Sequence, residues 1–119
     1  MSTIVGAKQA VNTNQGQYDG THLHKWSALN TGDVGDGVEL PGLSDKTVQV
    51  VGTFGGATVS IQGSLDGVNF SALNDPSGAA IALTAAGMVA IVQNVRFLRP
   101  SVAGGAGANL DIWLLSRQP

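Results

Sequence analysis

Alternating apolar and polar side chains run through most of this chain, and they predict β-strands. The clearest case is Ala57–Gln62, where Ala57, Val59 and Ile61 share one face and the polar residues between them share the other. Successive side chains of a strand point to opposite faces, so this period is typical of a half-buried strand. The same pattern predicts further strands at Thr3–Ala7, Thr21–Leu29, Val38–Leu40, Lys46–Gly52, Val68–Leu73, Ala79–Leu83, Met88–Val92, Asn94–Val102 and Leu110–Leu115.

Glycine-rich turns separate these predicted strands. We expect tight hairpin turns at Gly55-Gly56 and Asp66-Gly67, a proline turn at Asn74–Gly78, and a hairpin tip at Gly104–Gly107. Pro100 lacks an N–H donor, so it predicts a sheet edge or a bulge. No segment carries a sustained apolar repeat of helical period without glycine. The chain is therefore predicted to be all-β, an antiparallel β-sandwich or a jelly-roll-like barrel.

The first eighteen residues differ from the rest because they are polar and rich in Asn, Gln, Thr and Gly. We interpret residues 1–18 as an extended N-terminal arm and residues 19–119 as a single β-sandwich domain. An arm of this kind can add a strand to a neighbouring subunit, although a frayed terminus without a role has the same composition.

Composition narrows the class of partner. The chain of 119 residues is 43% hydrophobic but only 12% charged, about half the usual charged fraction, which suits a surface covered by neighbouring subunits. The net charge of −2 gives no basic surface for nucleic acid or an anionic membrane. Neither a transmembrane-length apolar stretch nor a secretory signal is present, and the absence of Cys excludes disulfides, thiol catalysis and Cys-based zinc sites.

Two residue patterns match those of metal sites in part. His22 and His24 lie on one face of a predicted strand, but a zinc site needs a third ligand, which Asp19 or a distant carboxylate would have to supply. Asn30, Asp33 and Asp36 are spaced by three, which misses the alternate oxygen ligands of a calcium loop. We therefore expect no metal.

The sequence contains no motif that predicts a catalytic site. Gly63–Gly67 lacks a central serine between two glycines at the spacing of a nucleophile elbow, and no glycine-rich segment carries the lysine of a phosphate loop. The carboxylates lie mostly in turn sequences. We expect a protein that is not an enzyme and that holds no cofactor.

Interaction with other proteins is the expected role of several exposed or large side chains. Arg96 and Arg99 flank Phe97 and could bind phosphate, although solvated or intersubunit arginines are the favoured interpretation. Trp26 is predicted to be a core or an interface residue, and Trp113 lies on the second face of the last strand. The candidate interaction residues are Ile4, Val5, Val11, Tyr18, Trp26, Arg96, Arg99 and Trp113.

The run from Leu40 to Arg117 resembles small virion proteins of tailed bacteriophages. The resemblance lies in a GTFGGA turn, an IQGS strand followed by DG and NF, an R-x-x-RP strand, and a glycine-rich turn before the closing LDIWLLSR. Such proteins are similar to capsid decoration (cement) proteins. The resemblance implies a structural protein on the capsid surface, assembled in the host cytoplasm, whose partners are the major capsid protein and copies of itself in a homotrimer.

Two other functions remain open from the sequence. One is a component of the phage tail or baseplate. The other is a carbohydrate-binding module that would use Trp26 or Trp113.

Overall fold

The computed structural model of the protein describes residues 3–9, 21–40 and 44–117. These residues form strands joined by turns, and no helix long and apolar enough to cross a membrane occurs among them. The strands are β1 (Thr3–Ile4), β2 (Gly6–Gln9), β3 (Thr21–Leu29), β4 (Val34–Gly35), β5 (Val38–Glu39), β6 (Asp45–Thr53), β7 (Thr58–Ser64), β8 (Ser71–Ala72), β9 (Ala82–Leu83), β10 (Gly87–Ile91), β11 (Phe97–Ala103) and β12 (Asn109–Arg117).

Two sheets face each other. The five-stranded sheet has the order β10-β6-β12-β3-β2, and the seven-stranded sheet has the order β1-β4-β11-β7-β8, with β5 on β11 and β9 on β7. All neighbouring strands are antiparallel except β1 and β4, which are parallel. The all-β prediction is confirmed, and the architecture is a sandwich because the described strands form two separate sheets and not a closed barrel.

The chain passes between the two sheets in the manner of a jelly roll. The long strand β6 lies in the five-stranded sheet, β7 in the other, β10 again in the first, β11 in the second and β12 in the first. Strands β12 and β3, which are far apart in the sequence, are direct neighbours. Greek-key connections of this kind bring sequence-distant strands together.

The core lies between the inner faces of the sheets and follows the predicted alternation. In β6, Val48 and Val50 are buried while Thr47 and Gln49 are exposed. In β12, Leu110, Ile112 and Leu114 are buried in the same alternating way. Each such aliphatic side chain stabilises the fold by about 1.5–3 kcal/mol when fully buried. The opposite wall is formed by β7 and β11, with Val59, Ile61, Leu98 and Val102.

Two predicted hairpins are instead connections between sheets. Gly55-Gly56 joins β6 to β7, and Gly104–Gly107 joins β11 to β12, but in both cases the two strands belong to different sheets. The hairpin prediction was wrong because a tight glycine turn reverses the chain in either arrangement. The two turns meet, since the Ala106 N–H donates to the Gly55 carbonyl at 2.9 Å.

The Asp66-Gly67 turn is wider than predicted. β7 and β8 do form a hairpin, with Gln62 opposite Ala72 and Gly63 opposite Ser71, so residues 65–70 form its loop. The predicted strand Val68–Leu73 is reduced to the two residues of β8.

Pro100 lies in an interior strand and not at a sheet edge. It stands opposite Ile61 of β7, while the other side of β11 pairs with β5 at Phe97 and Leu98 and with β4 at Ser101. On this side of β11, the hydrogen-bonded ladder is therefore interrupted at Pro100, between the residues that pair with β5 and the residue that pairs with β4. A residue without an N–H is tolerated there because no described strand needs its hydrogen bond.

The start of the described chain is built into both sheets. β1 pairs with β4 of the seven-stranded sheet and β2 pairs with β3 of the five-stranded sheet. Residues 3–9, predicted as part of an extended arm, therefore pair with this chain's own sandwich. The rest of the predicted arm, with Val11 and Tyr18, lies outside the described residues, and the domain boundary after residue 18 stays a prediction.

Candidate interaction surfaces

The outer face of the five-stranded sheet carries an apolar groove on the part of the chain that the structure describes. In β12, Trp113 and Leu115 point outward, because Ile112 and Leu114 occupy the inner face. We call this surface the Trp113 face. Its lining residues are Leu23, Thr47, Gln49, Met88, Trp113 and Leu115.

The strand register explains how these side chains come together. Trp113 stands opposite Gln49 on one side and Lys25 on the other, and Leu115 stands opposite Thr47 and Leu23. Met88 is the register partner of Gln49, so it closes the row on the β10 side. Directly opposed residues of neighbouring strands share a face, which makes the groove continuous across four strands.

Charged groups hold the tryptophan in place. The Lys25 ammonium lies 4.7 Å from the centroid of the Trp113 ring and 3.8 Å from the Asp111 carboxylate. Asp111 also accepts a hydrogen bond of 3.0 Å from the backbone N–H of Ala28. Ala28 has a positive φ of 58° at a bulge in β3, where the register to β12 shifts. The bulge therefore orients the carboxylate that anchors Lys25 over the ring.

The outer face of the seven-stranded sheet is polar. Arg99 is half-buried, donates to the Gln62 side chain at 2.8 Å, and lies 3.9 Å from the centroid of the Phe70 ring. Arg96 is exposed and pairs with Glu39 at 3.0 Å. Both predicted arginines thus lie on the surface, but each already has partners within the chain.

Trp26 belongs to the core. Its side chain is fully buried, and its indole N–H donates to the Asp36 side chain at 3.1 Å and to the Asp36 carbonyl at 3.2 Å. Of the two alternatives drawn from the sequence, the structure shows the core position. A glycan platform built on Trp26 is wrong, because no face of its ring is available.

The other predicted interaction residues are separated from Trp113. Ile4 packs against the core from β1, whereas Val5 is 70% exposed at the point where the chain changes sheet. The structure therefore does not gather the candidate residues into one site.

The acidic residues of the loop before β5 bind the chain's own donors. The Asn30 N–H donates to Asp33 at 2.8 Å, and the Gly6 N–H donates to Asp36 at 2.6 Å. His22 and His24 lie side by side with ring centroids 6.3 Å apart. Within residues 3–9, 21–40 and 44–117, no group of three His, Asp or Glu side chains could hold a metal ion.

Lys46 is buried, a feature that was not predicted from the sequence. Lys46 lies on the inner face of β6 and donates to the Ser44 carbonyl at 2.8 Å and, more weakly, to the Asn94 side chain at 3.5 Å. Burial lowers the pKa of Lys46, while the neighbouring Asp45 carboxylate opposes that change. The sequence pattern does indicate this burial, because Lys46 has the same inward phase along β6 as Val48 and Val50.

The fold and these surfaces define a class: a jelly-roll sandwich with an apolar and a polar outer face. No protein-family model and no curated protein sequence matches the chain. Among solved structures, the SPBc2 prophage-derived protein YomS is similar, with a TM-score of 0.63 at 8% identity, over 81% of this chain and 93% of that chain.

Two further solved structures have lower scores. IMPa from Pseudomonas aeruginosa, in complex with an O-glycopeptide, is similar with a TM-score of 0.51 at 12% identity, over 97% of this chain and 14% of that chain. A cupin 2 domain-containing protein from Halorhodospira halophila has a TM-score of 0.49 at 12% identity, over 94% of this chain and 63% of that chain. At these identities, the likenesses to YomS and IMPa show the fold alone.

Proposed function

We propose that this protein is a structural subunit of a tailed-bacteriophage particle, a decoration protein that binds the outside of the capsid and joins neighbouring capsomers. The observation that carries the proposal is the Trp113 face, an apolar groove on a rigid sheet. The likeness to a prophage-derived protein over nearly the whole of that protein supports a phage origin.

The composition of the Trp113 face fits a protein-binding surface. Met88 is 68% exposed at the β10 end of the groove, and Leu115 is 36% exposed next to Trp113 on β12, so aliphatic and aromatic area is available to a partner. The ion pairs Lys25–Asp111 and Arg117–Asp45 lie nearby. Interfaces commonly have this arrangement of an apolar centre, an aromatic anchor and a polar rim.

The partners follow from the same proposal. The Trp113 face would contact the major capsid protein, and copies of the chain would associate with each other. Repeated copies on a capsid raise the total binding strength without strong single contacts. The protein would act on the capsid surface, after assembly in the host cytoplasm, as a non-enzymatic component without cofactor, nucleic-acid or membrane partners.

Binding to purified particles tests this proposal. We expect Trp113→Ala to weaken co-sedimentation with particles of the encoding phage about 30-fold, because truncating a central aromatic anchor costs about 2 kcal/mol. The matched control is Val68→Ala, which truncates an 80%-exposed side chain in the loop between β7 and β8. Equal binding of both variants would contradict the role of the Trp113 face.

The position in the particle needs a second readout. Immunogold labelling of the chain should mark heads. Labelling restricted to tails would replace the decoration proposal with a tail or baseplate function, for which the Trp113 face would still be the binding surface.

A further inference from the structure

Strand β10 forms an open edge of the five-stranded sheet. It pairs through Gly87–Ile91 with β6, and no strand in the described part of the chain pairs with its other side. Alternate residues of an antiparallel edge direct their N–H and C=O groups away from the sheet. Such a row of groups is matched geometrically by another extended strand.

This edge lacks the features that keep exposed strands apart. No charged residue occurs between Asp75 and Arg96, a stretch that includes all of β9 and β10. Sheet edges of soluble proteins are commonly protected by lysine, proline or a bulge. β10 has none of these, and its ladder to β6 is regular over all five residues.

The side chains beside the edge are apolar and exposed. Met88 is 68% exposed, Val92 just beyond the strand is 58% exposed, and Ala90 between them is also exposed. By contrast, the opposite edge strand β2 contains Lys8. The edge strands of the seven-stranded sheet, β1, β5, β8 and β9, have only two residues each. β10 is therefore the edge best suited to strand pairing.

We infer that β10 pairs antiparallel with β10 of a second copy of this chain, about a two-fold axis. An uncharged edge meets its own copy without like-charge repulsion, and antiparallel pairing of two identical strands relates them by a two-fold axis. The two five-stranded sheets then form one continuous sheet, with the two Trp113 faces side by side. The inference concerns the free protein and replaces the trimer that the resemblance implies.

The mass of the free protein tests the pairing independently of capsid binding. We expect sedimentation of the full chain to give twice the 12.1 kDa of one copy. Ala90→Lys should give single copies, because pairing brings two ammonium groups together beside the axis. Val68→Lys, which adds the same charge to an exposed loop on the other sheet, should remain paired. A single-copy or trimeric mass for the native chain would overturn the inference.

Disulfide trapping locates the pairing strand. Because the chain has no cysteine, Met88→Cys and Ala90→Cys each carry one thiol, on the outer face of β10. A residue on the axis opposes its own copy, whereas an axis at Val89 places Met88 opposite Ala90 of the second copy. Axes at Met88, Val89 or Ala90 pair the most residues of β10, so one of the two variants, or their mixture, should crosslink rapidly on mild oxidation, because opposed Cα atoms lie within disulfide reach. The control variant Val68→Cys should not crosslink rapidly. The pairing would be contradicted if Met88→Cys, Ala90→Cys and their mixture all crosslinked no faster than this control.

Discussion

At the scale of single residues, Asp33, Asp66 and Asp75 anchor turns of the described chain with their carboxylates. Asp66 is the clearest case: its carboxylate accepts hydrogen bonds from the backbone N–H groups of Asn69 and Val68 and from the side chains of Asn69 and Ser64. Asp36 likewise joins the Trp26 indole to the backbone of Gly6. The sequence identified these residues as turn formers. It could not assign their partners, because most of the donors to Asp36 come from other strands.

Asp66 gives a prediction about acid stability. The hydrogen bonds from Asn69, Val68 and Ser64 hold the pKa of Asp66 well below its ordinary value of 3.8. Because the pKa is lower in the folded state than in the unfolded state, the ionised Asp66 carboxylate stabilises the fold fully at pH values above the ordinary carboxyl pKa. This stabilisation is lost as the pH falls below that pKa. We expect Asp66→Asn to lower the urea midpoint at pH 7, and the difference from the native protein to narrow as the pH falls from about 4 to about 2.

The control for this measurement is Glu39→Gln, which removes the exposed ion pair to Arg96. Exposed pairs of this kind contribute little, so its urea midpoint should stay close to that of the native protein. A difference for Asp66→Asn that is the same at both ends of the pH range would show that the ionised carboxylate is not what stabilises the turn.

At the scale of elements, the sequence predicts where strands lie better than which strands meet. Alternation located β3, β6, β7, β10 and β12 to within a few residues, because the inward and outward positions are a local property of the chain. The partner of a strand is not local. Gly55-Gly56 looked like a hairpin turn, yet β6 pairs with β10 and β12, which follow much later.

The two glycine turns between the sheets give a prediction with a matched control. Gly104 and Gly105 both have positive φ, 79° and 65°, so alanine at either position is strained by about 1–2 kcal/mol. A Cβ on Gly105 would also meet the Gly55 carbonyl oxygen and approach the Ala57 nitrogen to 2.6 Å, whereas a Cβ on Gly104 has nothing within 4 Å. We expect Gly105→Ala to destabilise the fold clearly more than Gly104→Ala in thermal unfolding. Equal losses would mean that the turns do not pack as described.

At the scale of the whole molecule, residues 3–9 connect the two sheets. β1 extends the seven-stranded sheet and β2 extends the five-stranded sheet, with only Val5 between them. The sequence predicted residues 1–18 as an arm for a neighbour because that longer stretch is rich in Asn, Gln, Thr and Gly. β1 and β2 pair with β4 and β3, and the sequence could not show that these two strands have an edge free to accept them.

Deleting residues 1–9 tests this connection. We expect a loss of about 3 kcal/mol in the free energy of unfolding, from the buried area of Ile4 and the ladder bonds of β1 and β2. Val5→Ala, at a 70%-exposed position, should change it little. The measurement is chemical denaturation followed by tryptophan fluorescence. An unchanged free energy of unfolding for the deletion variant would instead favour an arm that pairs with a neighbouring subunit.

The candidate surface was predictable in part. Trp113 falls on the outer phase of β12, as the sequence predicted, and Leu115 two residues later has the same phase. Leu23 and Met88 complete the groove, but they come from strands far away in sequence. Their contribution depends on the order β10-β6-β12-β3, which no local pattern contains.

The pairing of β3 with β12 sets the order of events during synthesis. Thr21 stands opposite Arg117 and Leu29 opposite Leu110, so most of the chain is translated before β3 meets its main neighbour. Until β12 leaves the ribosome, β2 is the one described strand that can pair with β3. Long-range pairing of this kind folds slowly. The sandwich therefore closes after translation of its last strand, and a nascent chain that ends before residue 109 exposes the core that β12 would cover.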